Sequence, residues 1–168
     1  MMLDTTNWKK FRLGDLFRFE VGKISNKGEQ LSEGTDCLYL GASKQNNSVQ
    51  EKCFKDEKKL QKGNCILFIC DGQGSVGFTN YIDEDFIATT NIVAGYNSNL
   101  NPCVGLFLVT VFDLERLKYS YGRKWYKHLK NTVVKLPCKI DCSPDWQFME
   151  NYIKEIANEV KEKFRTTV

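Results

Sequence analysis

The sequence predicts a mixed α/β chain of the α+β kind, in which a β-rich domain with Gly-rich loops is followed by a C-terminal helix of coiled-coil type. Three observations carry this. The apolar run Cys65-Ile66-Leu67-Phe68-Ile69-Cys70 meets the loop Asp71-Gly72-Gln73-Gly74-Ser75-Val76-Gly77, and the chain leaves through residues 78–82 and 86–93, both rich in aromatic and β-branched side chains. The spacing Gly72-x-Gly74-x-x-Gly77 spells the dinucleotide-binding fingerprint, but that motif needs its last glycine to open a helix that receives the pyrophosphate. Here strand-like sequence follows instead, so the glycines are read as a tight turn that exposes backbone N–H groups and admits a bulky partner. Last, Trp146, Met149, Ile153, Ile156 and Val160 follow Pro144 at spacings of 3, 4, 3 and 4, an a/d seam on a helix over residues 144–165.

A chain of 168 residues supports one domain with a real core. Apolar content of 42% and charged content of 27% are those of an ordinary soluble globular protein. No apolar run approaches membrane-spanning length, and Met1-Met2-Leu3-Asp4-Thr5-Thr6-Asn7 has no basic region leading into an apolar stretch, so a cytoplasmic protein without a membrane partner is expected. The seven cysteines lie at 37, 53, 65, 70, 103, 138 and 142, odd in number and several inside apolar runs, which disfavours a disulfide framework. Cys138-x-x-x-Cys142 with the single histidine, His128, is the nearest approach to a zinc site and a poor one, so no metal is expected. The net charge of +3 is modest, but residues 116–139 hold eight Lys or Arg and no Asp or Glu. That segment is a basic block.

In chain order, Trp8, Phe11, Leu13, Leu16 and Phe17 suit a short packed turn or helix over residues 7–17. Residues 25–33 are polar and read as an exposed loop, 37–41 as a strand, and 42–49, Ala42-Ser43-Lys44-Gln45-Asn46-Asn47-Ser48-Val49, as a polar loop offering amides and a lysine. Residues 104–117 are apolar nearly all round, and a buried helix starting after Asn101-Pro102 is preferred. Residues 132–137 read as a strand stopped by Pro137. The seam of the last helix spans only about two and a half heptads, so it either packs on its own domain or pairs with another helix.

Catalytic constellations are thin. His128 is the only base for a nucleophile, and it sits in the basic block. Asp71 and Asp83-Glu84-Asp85 have no evident catalytic partner. Pro144-Asp145 with Glu159-Val160-Lys161 imitates a metal-dependent nuclease pattern, but on one helix these groups lie about 20 Å apart and cannot converge on a metal. The basic block suits nucleic acid better: Lys and Arg neutralise phosphates while Tyr119, Tyr121, Trp125 and Tyr126 can stack, support or hydrogen-bond at a groove. Arg123 is the first choice as a base reader, because a guanidinium bonds guanine in bidentate fashion, with Lys124 and Lys127 beside it. Ser43, Lys44, Gln45, Asn46 and Asn47 in one loop, Gln73 and Ser75 in the Gly-rich loop, and Thr89, Thr90 and Asn91 further on are of the types that read adenine or hold the backbone.

Trp8-x-x-Phe11-x-Leu13-Gly14-Asp15-Leu16-Phe17 with Gly22-Lys23, Tyr39-Leu40-Gly41-Ala42 with Asn46-Asn47-Ser48-Val49, and Gly72-x-Gly74-Ser75-Val76-Gly77 are followed by Tyr119-x-Tyr121-Gly122-Arg123-Lys124, Leu136-Pro137, and Pro144-Asp145-Trp146-x-Phe148-Met149-Glu150-x-Tyr152-Ile153. In that order the chain resembles the target recognition domains of type I restriction-modification specificity (S) subunits and of related type II restriction-methylation proteins. The resemblance implies a DNA target recognition domain over residues 1–143 and a helix of a conserved coiled-coil region over 144–168. It implies sequence-specific binding of double-stranded DNA without catalysis in this chain. A partner adenine methyltransferase, and possibly a restriction subunit, would supply the chemistry with S-adenosylmethionine and Mg/ATP, so that no cofactor belongs to this chain. A complete S subunit has two recognition domains, whereas this sequence has one with a short helix. It therefore corresponds to a half-subunit that homodimerises through the seam, a recognition domain beside a methylase, or a remnant. The alternatives are an orphan DNA- or protein-interaction module lacking a methylase and, from another class, a metal-dependent nuclease. Which bases are read does not transfer, since the family varies most at those positions.

Overall fold

The computed structural model describes residues 3–25, 31–72, 74–120 and 123–165. In chain order they form β1 (Lys9–Arg12), a single turn α1 (Leu13–Leu16), β2 (Arg18–Val21), β3 (Glu33–Leu40), β4 (Val49–Cys53), β5 (Cys65–Ile69), β6 (Thr79–Ile82), β7 (Phe86–Ala88), β8 (Ile92–Tyr96), α2 (Pro102–Phe112), β9 (Val133–Leu136) and α3 (Trp146–Arg165). The fold is α+β, as the sequence predicts.

Strand β5 is the hub. It lies inside an antiparallel sheet of order β2-β8-β5-β6, and all five of its residues are buried. Alternate side chains serve two cores: Ile66 and Phe68 join Phe17, Val104, Phe107, Leu108, Phe112 and Trp125 on the helical side, while Cys65 and Leu67 join Leu38, Leu40, Phe86 and Ala88 on the other. Burial on both faces is why this strand reads as continuous apolar sequence rather than an alternating one. Each such side chain contributes roughly 1.5–3 kcal/mol relative to exposure. The second face is covered by a three-stranded sheet, β4-β3-β7, in which β3 and β7 run parallel. A two-stranded ribbon, β1-β9, completes the fold.

Three segments depart from the sequence-based expectation. Residues 9–12 form a strand, because β9, more than a hundred residues away in the chain, supplies ladder partners from Lys9↔Leu136 to Arg12↔Val133; only one helical turn follows. The stretch 86–93 is not one strand. It changes sheet at Thr89-Thr90-Asn91, with β7 pairing β3 and β8 pairing β5, and a turn closed by the Ile92 N–H on the Thr89 carbonyl (3.0 Å). The apolar helix over 104–117 ends at Phe112 and continues as a 3₁₀ segment, Asp113–Lys118. Asp113 marks the change because its carboxylate is turned to β6, accepting from the Thr79 N–H (2.8 Å) and hydroxyl (2.9 Å).

The two long helices are capped by their own sequence. Asn101 accepts from the Val104 N–H (3.0 Å) with Pro102 at the first turn, and Asp145 accepts from the Phe148 N–H (3.0 Å). Gly105 lies mid-helix because the Tyr81 ring crosses there, 2.2 Å from where a Cβ would sit. Helix α3 lies against α2, with Phe107 edge-on to Tyr152 at 5.9 Å and the Asn101 amide donating to Glu150 (3.1 Å). Its first half shares the helical-side core, where Met149 is fully buried and Trp146, Tyr152 and Ile153 are partly covered. Beyond that the seam is open, with Ile156 39% and Val160 46% exposed, and Phe164, beside the next heptad position, is 73% exposed.

Candidate nucleic-acid interface

Four polar connections meet at one end of the sheets. The parallel pairing of β3 and β7 places the loop after Leu40 beside Thr89, whose N–H donates to the Leu40 carbonyl (3.1 Å). The Asn91 carbonyl accepts from Cys70 (2.9 Å) and Asp71 (3.3 Å), tying the 89–91 turn to the Gly-rich loop. The Trp125 N–H donates to the Cys70 carbonyl (3.1 Å), drawing in the basic block. The Lys44 N–H donates to the Ser75 hydroxyl (3.3 Å), and the buried Asn80 amide donates to Ser48 (2.9 Å), so the 42–48 and 71–77 loops are fastened together. Main-chain bonds also close each loop, Gly41 N–H to Ser48 carbonyl (3.0 Å) and Gly77 N–H to Ile69 carbonyl (3.0 Å), and the Ser48 hydroxyl donates to the Ser43 carbonyl (2.9 Å).

The polar side chains divide by role. Asn46 and Asn47 occupy the left-handed region (φ 46° and 50°), which Asn tolerates better than most residues, and the Asn46 amide closes the turn on the Val49 carbonyl (3.0 Å). Ser43 accepts from the Gln45 N–H (3.1 Å), and Ser75 is nearly buried by its bond to Lys44. These residues hold backbone. Gln45 and Asn47 are exposed, and their side-chain amides make no hydrogen bond among the described residues. Thr90 is exposed, whereas the Thr89 hydroxyl is buried without a hydrogen-bond partner among the described residues. Gln73 and Tyr121 lie outside the described residues.

In the basic block two of the aromatics proposed for a groove are structural. Trp125 is fully buried, edge-on to Phe68 at 5.4 Å, and its indole N–H donates to the Thr132 hydroxyl (2.9 Å). Tyr119 stacks on it at 4.9 Å with its hydroxyl 3.1 Å from the same Thr132 oxygen. An indole with a single N–H needs only one buried acceptor, and Thr132 provides it, so the ring serves as the anchor that holds the block on the core. Tyr126 is exposed instead. Arg123 is exposed, and its backbone pairs reciprocally with that of Ser120. Lys124 forms an ion pair with Asp71, and Lys118 with Glu115. Arg123, Lys127, Lys44 and Arg116 have no carboxylate partner among the described residues.

Sequence reasoning passed over Arg116 and Phe78 as site residues. The half-buried Phe78 ring has the Lys44 ammonium 5.5 Å and the Arg116 guanidinium 4.8 Å from its centroid. Gly77, at φ +90°, permits this: a Cβ there would lie 2.7 Å from the Arg116 Cα. The signal was an aromatic directly after the last glycine of the loop, but its partners are distant in sequence.

The described thiols and the carboxylates Asp85 and Asp145 have structural roles. Burial pushes the Cys65 and Cys70 thiols up to about 12 and that of Cys37 to about 11, so these groups stay protonated and pack as hydrophobes. Asp85 is engaged with Lys62 and the Gly63 N–H at the far end of β6. Asp145 caps α3, on which Glu159 also lies, so the two acids do not converge. No group of three or more His, Cys, Asp or Glu suited to hold a metal, and no helix long and apolar enough to cross a membrane, occurs among the described residues.

Fold and loop cluster together define a β-rich recognition-type domain with an appended, half-open helix. The chain belongs to the family of type I restriction modification DNA specificity domains, whose model matches residues 5–164. It is 25% identical over 159 residues to the specificity subunit S.BcgI of a type II restriction enzyme from Heyndrickxia coagulans, covering 94% of this chain and 46% of that protein. The fold is that of the HsdS subunit from Thermoanaerobacter tengcongensis (TM-score 0.63, 16% identity, 99% of this chain and 41% of that one). The type I restriction-modification S subunit from M. genitalium is equally similar (TM-score 0.63, 16% identity, 96% and 42%). The chain spans less than half the length of these relatives.

Proposed function

We propose that this chain reads double-stranded DNA sequence-specifically as a specificity module of a restriction-modification system, without catalysing a reaction itself. The observation that carries this is the convergence of four loops that set the cations of Lys44, Arg116, Arg123 and Lys127, none with a carboxylate partner among the described residues, beside the exposed amides of Gln45 and Asn47. Unpaired cations take phosphates, which gives affinity and register, and amides with a guanidinium read base edges, which gives sequence. Family membership supports the same division of labour.

The chemistry then belongs to partners: an adenine methyltransferase using S-adenosylmethionine, and a restriction subunit using Mg/ATP. We assign their recruitment, or pairing with a second copy of this chain, to the open seam, Ile156 and Val160, with Phe164 beside it. The protein acts in the cytoplasm, where its DNA is.

The test is selection of duplexes from a random pool by the tagged chain, with co-purifying proteins identified by mass spectrometry. Enrichment of one short motif together with a methyltransferase is expected, and Arg123→Ala should weaken binding by about 1–3 kcal/mol with relaxed preference at one base pair. Absence of any enriched motif, alone and with the captured partner, would overturn the proposal.

A further inference from the structure

We infer that Lys44 and Arg116, gathered on the Phe78 ring, form a seat for a DNA backbone phosphate; the inference rests on the DNA-reading function proposed above. Lys44 comes from the loop after β3, Phe78 from the β5–β6 turn, and Arg116 from the 3₁₀ segment after α2. Their meeting is built by backbone and polar contacts: the Lys44 N–H on Ser75, Gly77 pressed against the Arg116 backbone, and the Asp113 carboxylate on Thr79, one residue after Phe78.

Both cations lie within 5.5 Å of one ring centroid, and the ring quadrupole attracts each without neutralising it. Neighbouring Lys118 and Lys124 are ion-paired with Glu115 and Asp71, whereas Lys44 and Arg116 make no ion pair among the described residues, and Asp113, the carboxylate near Arg116, is turned to the Thr79 N–H and hydroxyl. Both cations stay exposed and without an ion pair, so an external anion can approach them. A phosphate fits in kind: its oxygens take the two donor groups of a guanidinium while the ammonium adds a point charge. A backbone phosphate is common to every sequence, so Lys44 and Arg116 add affinity to any duplex and are not base readers.

The experiment titrates fluorescent duplexes, one carrying the selected motif and one of mixed sequence, against the full chain at several KCl concentrations. The Lys44→Gln/Arg116→Gln double variant should reduce the slope of log affinity against log salt by about 0.9, the count for one phosphate, and each single variant by no more than that. The affinity ratio between the two duplexes should stay at its wild-type value, Arg116→Lys should keep the wild-type slope, and melting temperatures should be unchanged because both side chains are exposed. An unchanged slope in the double variant, with Arg123→Ala still lowering it, overturns the seat and leaves the DNA-reading function standing. A changed ratio makes these residues base readers and also overturns the seat. If the unaltered chain binds neither duplex, the DNA-reading function itself fails and the seat with it.

Discussion

The Asp71 carboxylate at the mouth of the Gly-rich loop is ion-paired with Lys124 of the basic block, a connection across 53 residues of sequence. The same carboxylate accepts from the Gly72 N–H (2.9 Å), so it shapes the loop and offsets a cation at once. Asp71→Asn keeps an acceptor for Gly72 and releases Lys124 to phosphate. Affinity for mixed-sequence duplex should rise, and the salt slope should steepen by up to about 0.9 in fluorescence anisotropy. Lys124→Ala leaves the Asp71 carboxylate uncompensated and should weaken binding to any duplex. Stability should move by no more than about 1 kcal/mol in either case, because Lys124 is half exposed.

The Asp113 carboxyl is raised from its ordinary value, since its burial outweighs the two hydrogen bonds from Thr79 and the nearby Arg116. A carboxyl whose folded value is raised favours the folded state while protonated, and that contribution is lost as pH rises from the ordinary aspartate value of about 3.9 through the folded value. Asp113→Asn can still accept from Thr79 but carries no charge to desolvate. Its melting temperature relative to the unaltered chain should therefore climb between about pH 4 and neutrality; a difference that stays flat across this range would mean that Asp113 is not desolvated.

Helix α3 should separate into two halves under mutation. Met149→Ala removes a fully buried side chain and should cost about 2–5 kcal/mol in chemical denaturation. Ile153→Asp should also destabilise, because Ile153 packs against the same core. Ile156→Asp and Val160→Asp should leave the denaturation midpoint nearly unchanged while lowering the mass seen by light scattering or the recovery of a methyltransferase. Loss of stability in these last two variants would show that the whole helix belongs to the domain.

Gly77→Ala should lower stability by at least about 1–3 kcal/mol, since the residue sits at φ +90° and its new methyl would meet the Arg116 backbone. Gly74→Ala, at φ +74° but with open space around it, should cost less. Thermal melts of the pair separate backbone strain from collision.

What could be read in advance follows from what is local. The buried hub strand, the turn nature of the Gly-rich loop and the capped, periodic last helix are written in short windows of sequence, and the structure has all three. The change of sheet at Thr89-Thr90-Asn91 is set by partners outside the window, Leu38–Leu40 on one side and Ile66–Ile69 on the other. Trp125 looks like a groove aromatic from its basic neighbours, and its place inside the core depends on Phe68 and Thr132. Arg116, Phe78 and Lys44 share no sequence neighbourhood, so only folding brings them to one ring.

The turns that display Gln45 and Thr90 are closed in part through main-chain atoms, Gly41 to Ser48 and Ile92 to Thr89, and these bonds do not depend on which side chain stands at positions 45 and 90. A codon change at a displayed position therefore leaves Phe68, Phe107 and Met149 undisturbed. In a lineage of such chains, preference can drift one residue at a time with little cost in solubility or expression, and selection acts on what is bound almost independently of selection on staying folded.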